Sequence, residues 1–362
     1  MLRTMLLALM CTLMLAASPS WAQASDYEQA FGLGQRTSQQ AAQLLKTQWS
    51  GQKVIVLTNP GHARPDGFFT QGCLDGLRES TGASRGKASL LSLNSRFDKP
   101  LWFAFYTPES GKCAYLQLDP ELGRQDLASS LQSQELFAMQ DIARIDADYL
   151  FEHPGKFAKY NQENYFGANL FRVVAAANIA ALDAPSDLLQ AMQPHDHYCP
   201  GVTSGVLLVR YIQKNILQDR PDADCFVLGL QPWCKEDALQ DLLNTTPGKR
   251  SYGTFYPEQE QVQNWPEDLQ QTSTIVFVRE KKSPWQGWML QFDFAQARDQ
   301  YHGPKLENPA LEKLALGIWL TEHIQEPEKF VSVVKSFELN QDMHPKDFLQ
   351  PGAEVLQDLS EL

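Results

Sequence analysis

The hydrophobic positions of this chain form two series of segments that repeat in the same order. Each series contains a helix-like apolar segment, a strand-like run, a segment led by cysteine, a turn ending in Gly-Lys, a buried strand and its hairpin partner. Agreement of so many segments in one order predicts an internal repeat. The first series comprises residues 33–45, 53–57, 73–77, 86–87, 101–106 and 111–118, and the second comprises residues 202–216, 224–228, 234–239, 248–249, 274–278 and 287–292.

Each half mixes helices with strands that are neighbours in sequence, which predicts an α+β fold with mixed or antiparallel sheets and packed helices. We expect two similar lobes paired about a pseudo-two-fold axis, as an intramolecular pseudo-dimer joined by a largely helical connection. The predicted divisions are a signal peptide at 1–22, a first lobe at 23–124, the helical connection at 125–182, a second lobe at 183–345 and a C-terminal tail at 346–362.

The first 22 residues have the features of a secretory signal peptide. Arg3 supplies a positive charge, and the apolar run at residues 5–17 is too short to cross a bilayer. Small residues at Ser20 and Ala22 suit a leader-peptidase site before Gln23. We therefore expect export, most simply to a bacterial periplasm, and no membrane span in the mature chain.

Length, composition and charge restrict the architecture and the partners. The 362 residues suggest about two domains, and a hydrophobic content of 43% is enough to fill their cores. Acidic residues number 43 and basic residues 31, which gives a net charge of −12. Because the chain has no Lys/Arg tract, it lacks the positive surface that binds phosphate backbones, and we expect no nucleic-acid partner.

The cysteines do not have the pattern of a disulfide scaffold. Cleavage of the signal peptide would leave five of them, an odd number, so in an oxidising compartment at least one thiol is free, metal-bound or paired between chains. No Cys-x-x-Cys occurs, so a thioredoxin-like redox site and a ribbon-type zinc site have no support. Disulfide formation remains open for four of the cysteines, Cys73, Cys113, Cys225 and Cys234.

One segment, His195-Asp-His-Tyr-Cys-Pro-Gly201, carries side chains suited to metal binding. In an extended segment alternate side chains point to the same side, so His195, His197 and Cys199 are expected to converge. Imidazole and thiolate are the ligands that zinc and similar transition metals prefer, and three protein ligands leave a position for water or substrate. The segment therefore predicts a site for zinc or another transition metal.

Cys199 also lies where a helix is expected to begin. Pro200 suits the first helical position, since its missing N–H would have no partner there. The positive end of the helix dipole favours a thiolate, so Cys199 is a candidate both as a metal ligand and as a nucleophile. Gly201 and Gly205 would allow another backbone to approach this helix closely.

Three further residues are candidates for a catalytic role beside Cys199. Cys234 and Asp237 follow Trp233 in a short polar segment, and Lys249 closes a Pro-Gly-Lys turn where it could place a cation near a bound anion. Asp237 can equally be an acid in the first turn of a helix. No nucleotide-binding, serine-hydrolase or zincin motif occurs in the chain.

The motifs of the second half resemble the FmdE family of formylmethanofuran dehydrogenase proteins. The resemblance depends on the His-x-His-x-Cys-Pro-Gly element, on Cys234-x-x-Asp237-Ala238 and on the Gly248-Lys249 turn. It implies an α+β core with a metal-associated cleft of cysteine and histidine residues. The roles of His195, His197, Cys199, Cys234 and Asp237 are carried over from the family only as expectations.

The first half resembles the same family, with one departure. Its Cys73-Leu-Asp-Gly76 segment, the turn ending at Lys87 and the strand at residues 102–106 follow the family pattern. However, Ala30-Phe-Gly-Leu-Gly34 takes the place of the His/Cys element. The resemblance therefore implies two tandem copies, of which the first has a degenerate site.

These observations predict an exported FmdE-like protein that binds a transition metal, or a metal-bearing ligand, through His195, His197 and Cys199. Two alternatives remain open. One is a metal- or cysteine-dependent enzyme that carries out hydrolytic, transfer or redox chemistry at the same site. The other is a non-catalytic interaction module. Whether the chain is an enzyme, which metal and substrate it takes and its oligomeric state are left open by the sequence.

Overall fold

A computed structural model of the chain describes residues 20–122, 136–267 and 269–350. The backbone divides after Arg144 into two compact units, and each unit contains one five-stranded sheet together with helices. This confirms the predicted α+β class. Most of the predicted signal peptide and most of the predicted C-terminal tail lie outside the described residues. Within the described part of the chain, no helix has both the length and the apolar character needed to cross a membrane.

The described residues of the first unit form two α-helices and five strands. The strand order is β2-β1-β3-β4-β5, with β1 and β2 parallel and all other neighbours antiparallel. Leu33, Leu77 and Phe103 are fully buried in one core formed by both helices and the sheet. The elements are α1 (Ser20–Leu45), β1 (Ile55–Thr58), α2 (Gly72–Thr81), β2 (Leu90–Ser92), β3 (Trp102–Thr107), β4 (Lys112–Leu118) and β5 (Phe137–Arg144).

One glycine of α1 serves close packing against α2. The helix expected over residues 33–45 begins earlier in the chain, because Gly32 already lies inside α1. A Cβ atom on Gly34 would lie 2.3 Å from the carbonyl oxygen of Cys73 in α2, so only glycine allows this helix contact. Residues 30–34, predicted to replace the His/Cys element, are therefore continuous helix and not a loop.

The second unit contains a larger set of helices and a second sheet. The strand order is β7-β6-β8-β9-β10, with β6 and β7 parallel and the other neighbours antiparallel. The predicted strands at residues 224–228, 274–278 and 287–292 are confirmed. The elements are α3 (Ala147–Glu152), α4 (Pro154–Gln162), α5 (Leu170–Ala181), α6 (Ser186–Met192), α7 (Pro200–Ile212), β6 (Asp224–Leu230), α8 (Lys235–Leu242), β7 (Tyr252–Phe255), α9 (Gln259–Asn264), β8 (Thr274–Arg279), β9 (Gln286–Phe292), α10 (Phe294–Gln300), α11 (Pro309–Glu322) and β10 (Val331–Glu338).

The predicted helical connection at residues 125–182 is only partly helical. Its described part begins with β5, which pairs antiparallel with β4, and continues with α3, α4 and α5. Alanine, methionine and glutamine in β5 favour a helix by intrinsic propensity. Pairing with the exposed edge of β4 outweighs that preference, because strand formation depends on cross-strand contacts more than on local sequence.

The two sheets have the same strand order and the same strand directions. The two Gly-Lys turns also share their hydrogen bonds: the hydroxyl of Ser84 accepts from the backbone N–H of Lys87, and the hydroxyl of Thr246 accepts from that of Lys249. The repeat in the hydrophobic pattern therefore corresponds to a topology that both units possess.

Candidate metal centre

The three side chains predicted as metal ligands lie together in the second unit. The ligand atoms of His195, His197 and Cys199 are all within 4.8 Å of one another. The Sγ atom of Cys199 is 3.8 Å from Nε2 of His195. Cys199 is buried and both imidazole rings are partly exposed. Within the three described stretches of the chain, this is the one group of three or more such side chains placed close enough to share a metal.

The segment that carries these side chains is a turn, not the extended strand that the alternating pattern predicted. Asp196 has a left-handed backbone with φ of 66°, which aspartate tolerates better than most residues. Cys199 is extended, with φ of −156°, and directly precedes α7. The side chains therefore converge through a tight turn followed by one extended residue.

Arg172 of α5 holds the turn in place. Its Nε atom donates to the carbonyl oxygen of Asp196, and its Nη2 atom donates to Oδ2 of the same residue, both at 2.9 Å. Nη1 of Arg172 donates to the side chain of Asn169, which fixes the guanidinium plane. Arg172 and Asp196 were not among the site residues predicted from the sequence. The position of Asp196 between two histidines could have indicated a role at the site. Nothing in the sequence near Arg172 indicates that it contacts this turn.

Tyr198 anchors the same turn from the opposite side. Its hydroxyl donates to the carbonyl oxygen of Gly317 at 2.6 Å and lies 2.8 Å from the hydroxyl of Thr203 and 2.9 Å from that of Thr321. The fully buried Tyr198 side chain is therefore held by residues of α7 and α11, which fixes the backbone between His197 and Cys199.

The Nδ1 atom of each histidine forms a hydrogen bond with a carboxylate. Nδ1 of His195 is 2.7 Å from Oδ2 of Asp237, and Nδ1 of His197 is 3.0 Å from Oδ1 of Asp196. When a carboxylate accepts the Nδ1 proton of a neutral imidazole, Nε2 keeps its lone pair and is available as a ligand. In its neutral form each ring is therefore in the tautomer that can bind a metal through Nε2.

Charged neighbours shift the pKa values of His195 and Asp196. Burial disfavours the imidazolium of His195, but hydrogen bonds to Asp237 and Cys234 outweigh it and raise the pKa to about 9. Burial also opposes ionisation of Asp196, but His197 and Arg172 together hold the pKa of that carboxyl below its usual range. The site therefore stabilises negative charge on Asp196 and a proton on His195.

The two cysteine thiols of the site, Cys199 and Cys234, shift each other's pKa. The hydrogen bond to Cys234 and burial raise the pKa of Cys199, although the amides of Gly201 and Val202 act in the opposite direction. The hydrogen bond from Cys199 lowers the pKa of Cys234 to about 4. Burial alone would raise this pKa, whereas His195 lowers it further. A negative charge on this pair of thiols is therefore stabilised by the neighbouring imidazole of His195.

Two glycines bring Cys234 and Asp237 to the cluster. A Cβ atom on Gly201 would lie 2.7 Å from Cβ of Cys234, and one on Gly205 would lie 2.7 Å from the carbonyl oxygen of Lys235. The prediction that these glycines allow close approach of another backbone is confirmed. As a result α8 packs against α7, and Cys234 lies beside the cluster. Asp237, in the first turn of α8, forms a hydrogen bond with His195.

The remaining predicted residues have other contacts. The Nζ atom of Lys249 donates to the carbonyl oxygen and side chain of Asn244, near the C-terminal end of α8. The described cysteines are all free, including Cys73, Cys113 and Cys225, so no disulfide forms among them. Cys225 is partly buried in β6, and burial raises its pKa to about 12.

Comparison with known proteins links this site to one family. The model of a family described as "FmdE, Molybdenum formylmethanofuran dehydrogenase operon" matches residues 194–303. No curated protein matches the chain. The matched span contains the His/Cys cluster, Cys234, Asp237 and β6 to β9, so similarity to FmdE is confirmed for this part of the second unit. The first unit lies outside the matched span.

Proposed function

We propose that the protein binds a transition metal ion, zinc being the expected one, or a metal-bearing ligand, through His195, His197 and Cys199. One observation carries the proposal: a carboxylate accepts from Nδ1 of each imidazole, which leaves both Nε2 atoms beside the Cys199 thiol. Metal-ligating histidines generally have their second nitrogen bonded in this way. The match to FmdE over residues 194–303 is compatible with a metal-related function.

The donor set indicates the class of metal. Two imidazoles and one thiolate favour zinc and other borderline or soft transition metals over magnesium and calcium, which prefer oxygen ligands. We propose that Cys234 supplies a fourth donor, because it hydrogen-bonds both Cys199 and His195 and its pKa is already low. Four protein ligands are typical of sites that hold a metal and do not expose it to substrate.

A second candidate function is cysteine-dependent catalysis, which one geometric observation favours. Asp237 bonds Nδ1 of His195 at 2.7 Å, and Nε2 of the same ring faces Sγ of Cys199 at 3.8 Å. An acid, a histidine and a cysteine in this order are the arrangement by which an imidazole removes the proton of a nucleophile. In this alternative Asp237 orients the ring, the neutral form of His195 is the base and Cys199 is the nucleophile.

Alkylation of the folded protein distinguishes the two functions. If a metal is bound, Cys199 and Cys234 are expected to resist iodoacetamide until a chelator is added, because coordination removes the free nucleophile. Mass spectrometry of labelled peptides measures this at each site. Cys113 is the internal control, since it is fully buried and should stay unlabelled under both conditions. Fast labelling of Cys199 that a chelator does not change would instead support the catalytic alternative.

We also propose that the first unit is a second FmdE-like copy that has no metal site. The shared strand order and the equivalent Gly-Lys turns support this, as does the continuous helix α1 in place of a ligand-bearing loop. The pairing of the two lobes about a pseudo-two-fold axis is part of the proposal.

Expression of residues 145–362 alone tests the pairing of the lobes. If the second lobe needs the first, this fragment is expected to be aggregated or poor in metal, although it keeps every proposed ligand. Size-exclusion chromatography and metal analysis measure both properties. A monomeric, cooperatively folded and fully loaded fragment would show that the two lobes are ordinary tandem domains.

Export to the periplasm completes the proposal and depends on the N-terminal segment alone. The charged start, the short apolar run and the small residues before Gln23 support it. Protein isolated from a periplasmic fraction should begin at Gln23 by mass spectrometry, and it is the material on which metal content should be measured.

A further inference from the structure

A buried ion pair immediately follows Cys234 in the chain. Lys235 is 1% exposed and Glu236 is 5% exposed, and Nζ of the lysine donates to Oε1 of the glutamate at 2.6 Å. Removing two charges from water carries a large free-energy cost, and apolar residues of similar volume often support a fold equally well. The pair therefore points to a role beyond the stability of the core.

Both members of the pair bind the loop that connects β6 to α8. Nζ of Lys235 donates a second hydrogen bond to the carbonyl oxygen of Leu230, the last residue of β6, at 3.2 Å. Oε2 of Glu236 accepts from the backbone N–H of Trp233 at 2.8 Å. The ion pair therefore ties the end of β6 to the residue directly before Cys234, which is the last residue of this β6–α8 loop.

The start of α8 has no side-chain cap of its own. Cys234 occupies the N-cap position with helical backbone angles, and its side chain makes no capping hydrogen bond. A side-chain cap is the usual support for the first turn of a helix. The loop also begins with Gln231 in a left-handed conformation, with φ of 48°, which a non-glycine residue adopts only at a cost. The hydrogen bonds of Lys235 and Glu236 offset this cost and supply the support that a cap would give.

The strand beside the pair has no side chain at the place where the carboxylate lies. A Cβ atom on Gly229 of β6 would be 2.6 Å from Oε1 of Glu236. In the first unit the equivalent position of β1 is Thr58, since Thr58 and Gly229 are each the third residue paired with the parallel edge strand. Glycine therefore makes room for the carboxylate in the second unit.

The first unit has no ion pair at the corresponding place. Aligned on the acid in the first turn of α2 and of α8, the positions of the pair hold Cys73 and Leu74. Cys73 is fully buried in the apolar core, and Leu74 packs against that core. Within the described residues of the first unit, no His/Cys group could share a metal. The shared topology therefore accepts apolar side chains here, and the two charges accompany the metal ligands.

We propose that Lys235 and Glu236 are positioning residues of the metal centre. Their ion pair holds the β6–α8 loop so that the Cys234 thiol stays beside Cys199 and His195. This role depends on the proposed function of Cys234 as the fourth donor. Neither side chain of the pair is itself a proposed ligand, and both act through the backbone that carries one.

Cobalt(II) titration of the full-length protein tests the proposal. Cobalt(II) accepts the same ligands as zinc, and each bound thiolate adds intensity to its near-ultraviolet charge-transfer absorption. The test variant carries both Lys235→Met and Glu236→Leu, so neither charge is left buried without its partner. It is expected to show the absorption of one bound thiolate, as Cys234→Ala does, where the wild-type protein shows that of two. Its cobalt affinity should fall about ten- to a hundredfold, as on loss of an outer-shell partner.

The matched control carries both Lys214→Met and Glu328→Leu. This pair also has 2.6 Å between Nζ and Oε1, but it lies on the surface, so its loss should leave the absorption and the affinity unchanged. A second test variant is Gly229→Ala, which keeps both charges and displaces the Glu236 carboxylate with a methyl group. It should lower the two-thiolate absorption in the same way, whether or not the double variant folds. Circular dichroism and thermal unfolding verify the fold of each variant.

The outcomes separate the role of the ion pair from that of the metal ligands. Two-thiolate absorption and unchanged affinity in both test variants would overturn the positioning role and leave the metal proposal standing. The same spectra with lowered thermal stability would show that the pair serves only the fold. One-thiolate absorption in the wild type would remove Cys234 as a donor, and the positioning role with it. Absence of cobalt binding in the wild type would overturn the proposed function itself.

Discussion

Replacing Cys199 with alanine is expected to reduce the bound metal from about one equivalent per chain to nearly none. Loss of an outer-shell partner typically costs ten- to a hundredfold in metal affinity, and loss of a ligand should cost more than about a hundredfold. Because the thiolate contributes charge as well as a bond, the remaining imidazoles cannot replace it. Elemental analysis of protein purified from periplasm without an affinity tag measures the effect.

The matched control for this substitution is Cys225→Ala. Cys225 is a free thiol of the same unit that is partly buried in β6, and it is not a member of the His/Cys cluster, so its variant should keep the full metal content. His197→Ala should behave like Cys199→Ala, since both remove a proposed ligand. Full metal occupancy in Cys199→Ala and His197→Ala would remove the basis of the proposed site.

A second large effect is expected from Gly205→Ala, which leaves every proposed ligand in place. The added methyl group would lie 2.7 Å from the carbonyl oxygen of Lys235 and 2.8 Å from Cβ of Ala238. The backbone of α8 cannot rotate out of the way as a flexible side chain could. To avoid the added methyl group, α8 must therefore move away from α7, and Cys234 and Asp237 move with it. We expect destabilisation by about 1–3 kcal/mol together with weaker metal binding.

Gly155→Ala is the control for Gly205→Ala. Gly155 also lies in a helix of the second unit, α4, but no atom is within 4 Å of the position that its Cβ would take. Alanine there should be neutral or slightly stabilising, because it restricts the unfolded chain and favours the helix. Thermal unfolding and a competitive metal titration compare the two variants. If Gly205→Ala is as stable and as well loaded as Gly155→Ala, the packing of α8 does not control the site.

The distinction between ligand loss and helix displacement bears on how the site works. Cys199→Ala removes a ligand and leaves the rest of the fold unchanged. Gly205→Ala moves Cys234 and Asp237, whereas the turn that carries His195 is still held by Arg172 and Tyr198. If Cys234 is the fourth donor, both variants should lose metal. If only three ligands bind, Gly205→Ala should act mainly through Asp237, and the loss should be nearer the ten- to hundredfold expected for an outer-shell partner.

Short-range patterns in the sequence were sufficient for the class of fold and for much of the site. Apolar runs placed six strands of the two sheets, because buried strands must be apolar along their length. The start of α7 followed from Pro200, and the approach of a second helix followed from Gly201 and Gly205, since both depend on local stereochemistry. The chemical character of the metal trio was evident from residue type alone.

Tertiary contacts decided the rest. The turn at Asp196 depends on Arg172, which lies 24 residues away in sequence, and no local pattern connects the two. Likewise the bond between His195 and Asp237 spans 42 residues and exists only because α8 packs on α7. The strand β5 and the full length of α1 were missed because pairing with a sheet edge and packing between helices outweigh local propensity. The sequence therefore determined which side chains can bind a metal, and the packing of helices determined which of them meet.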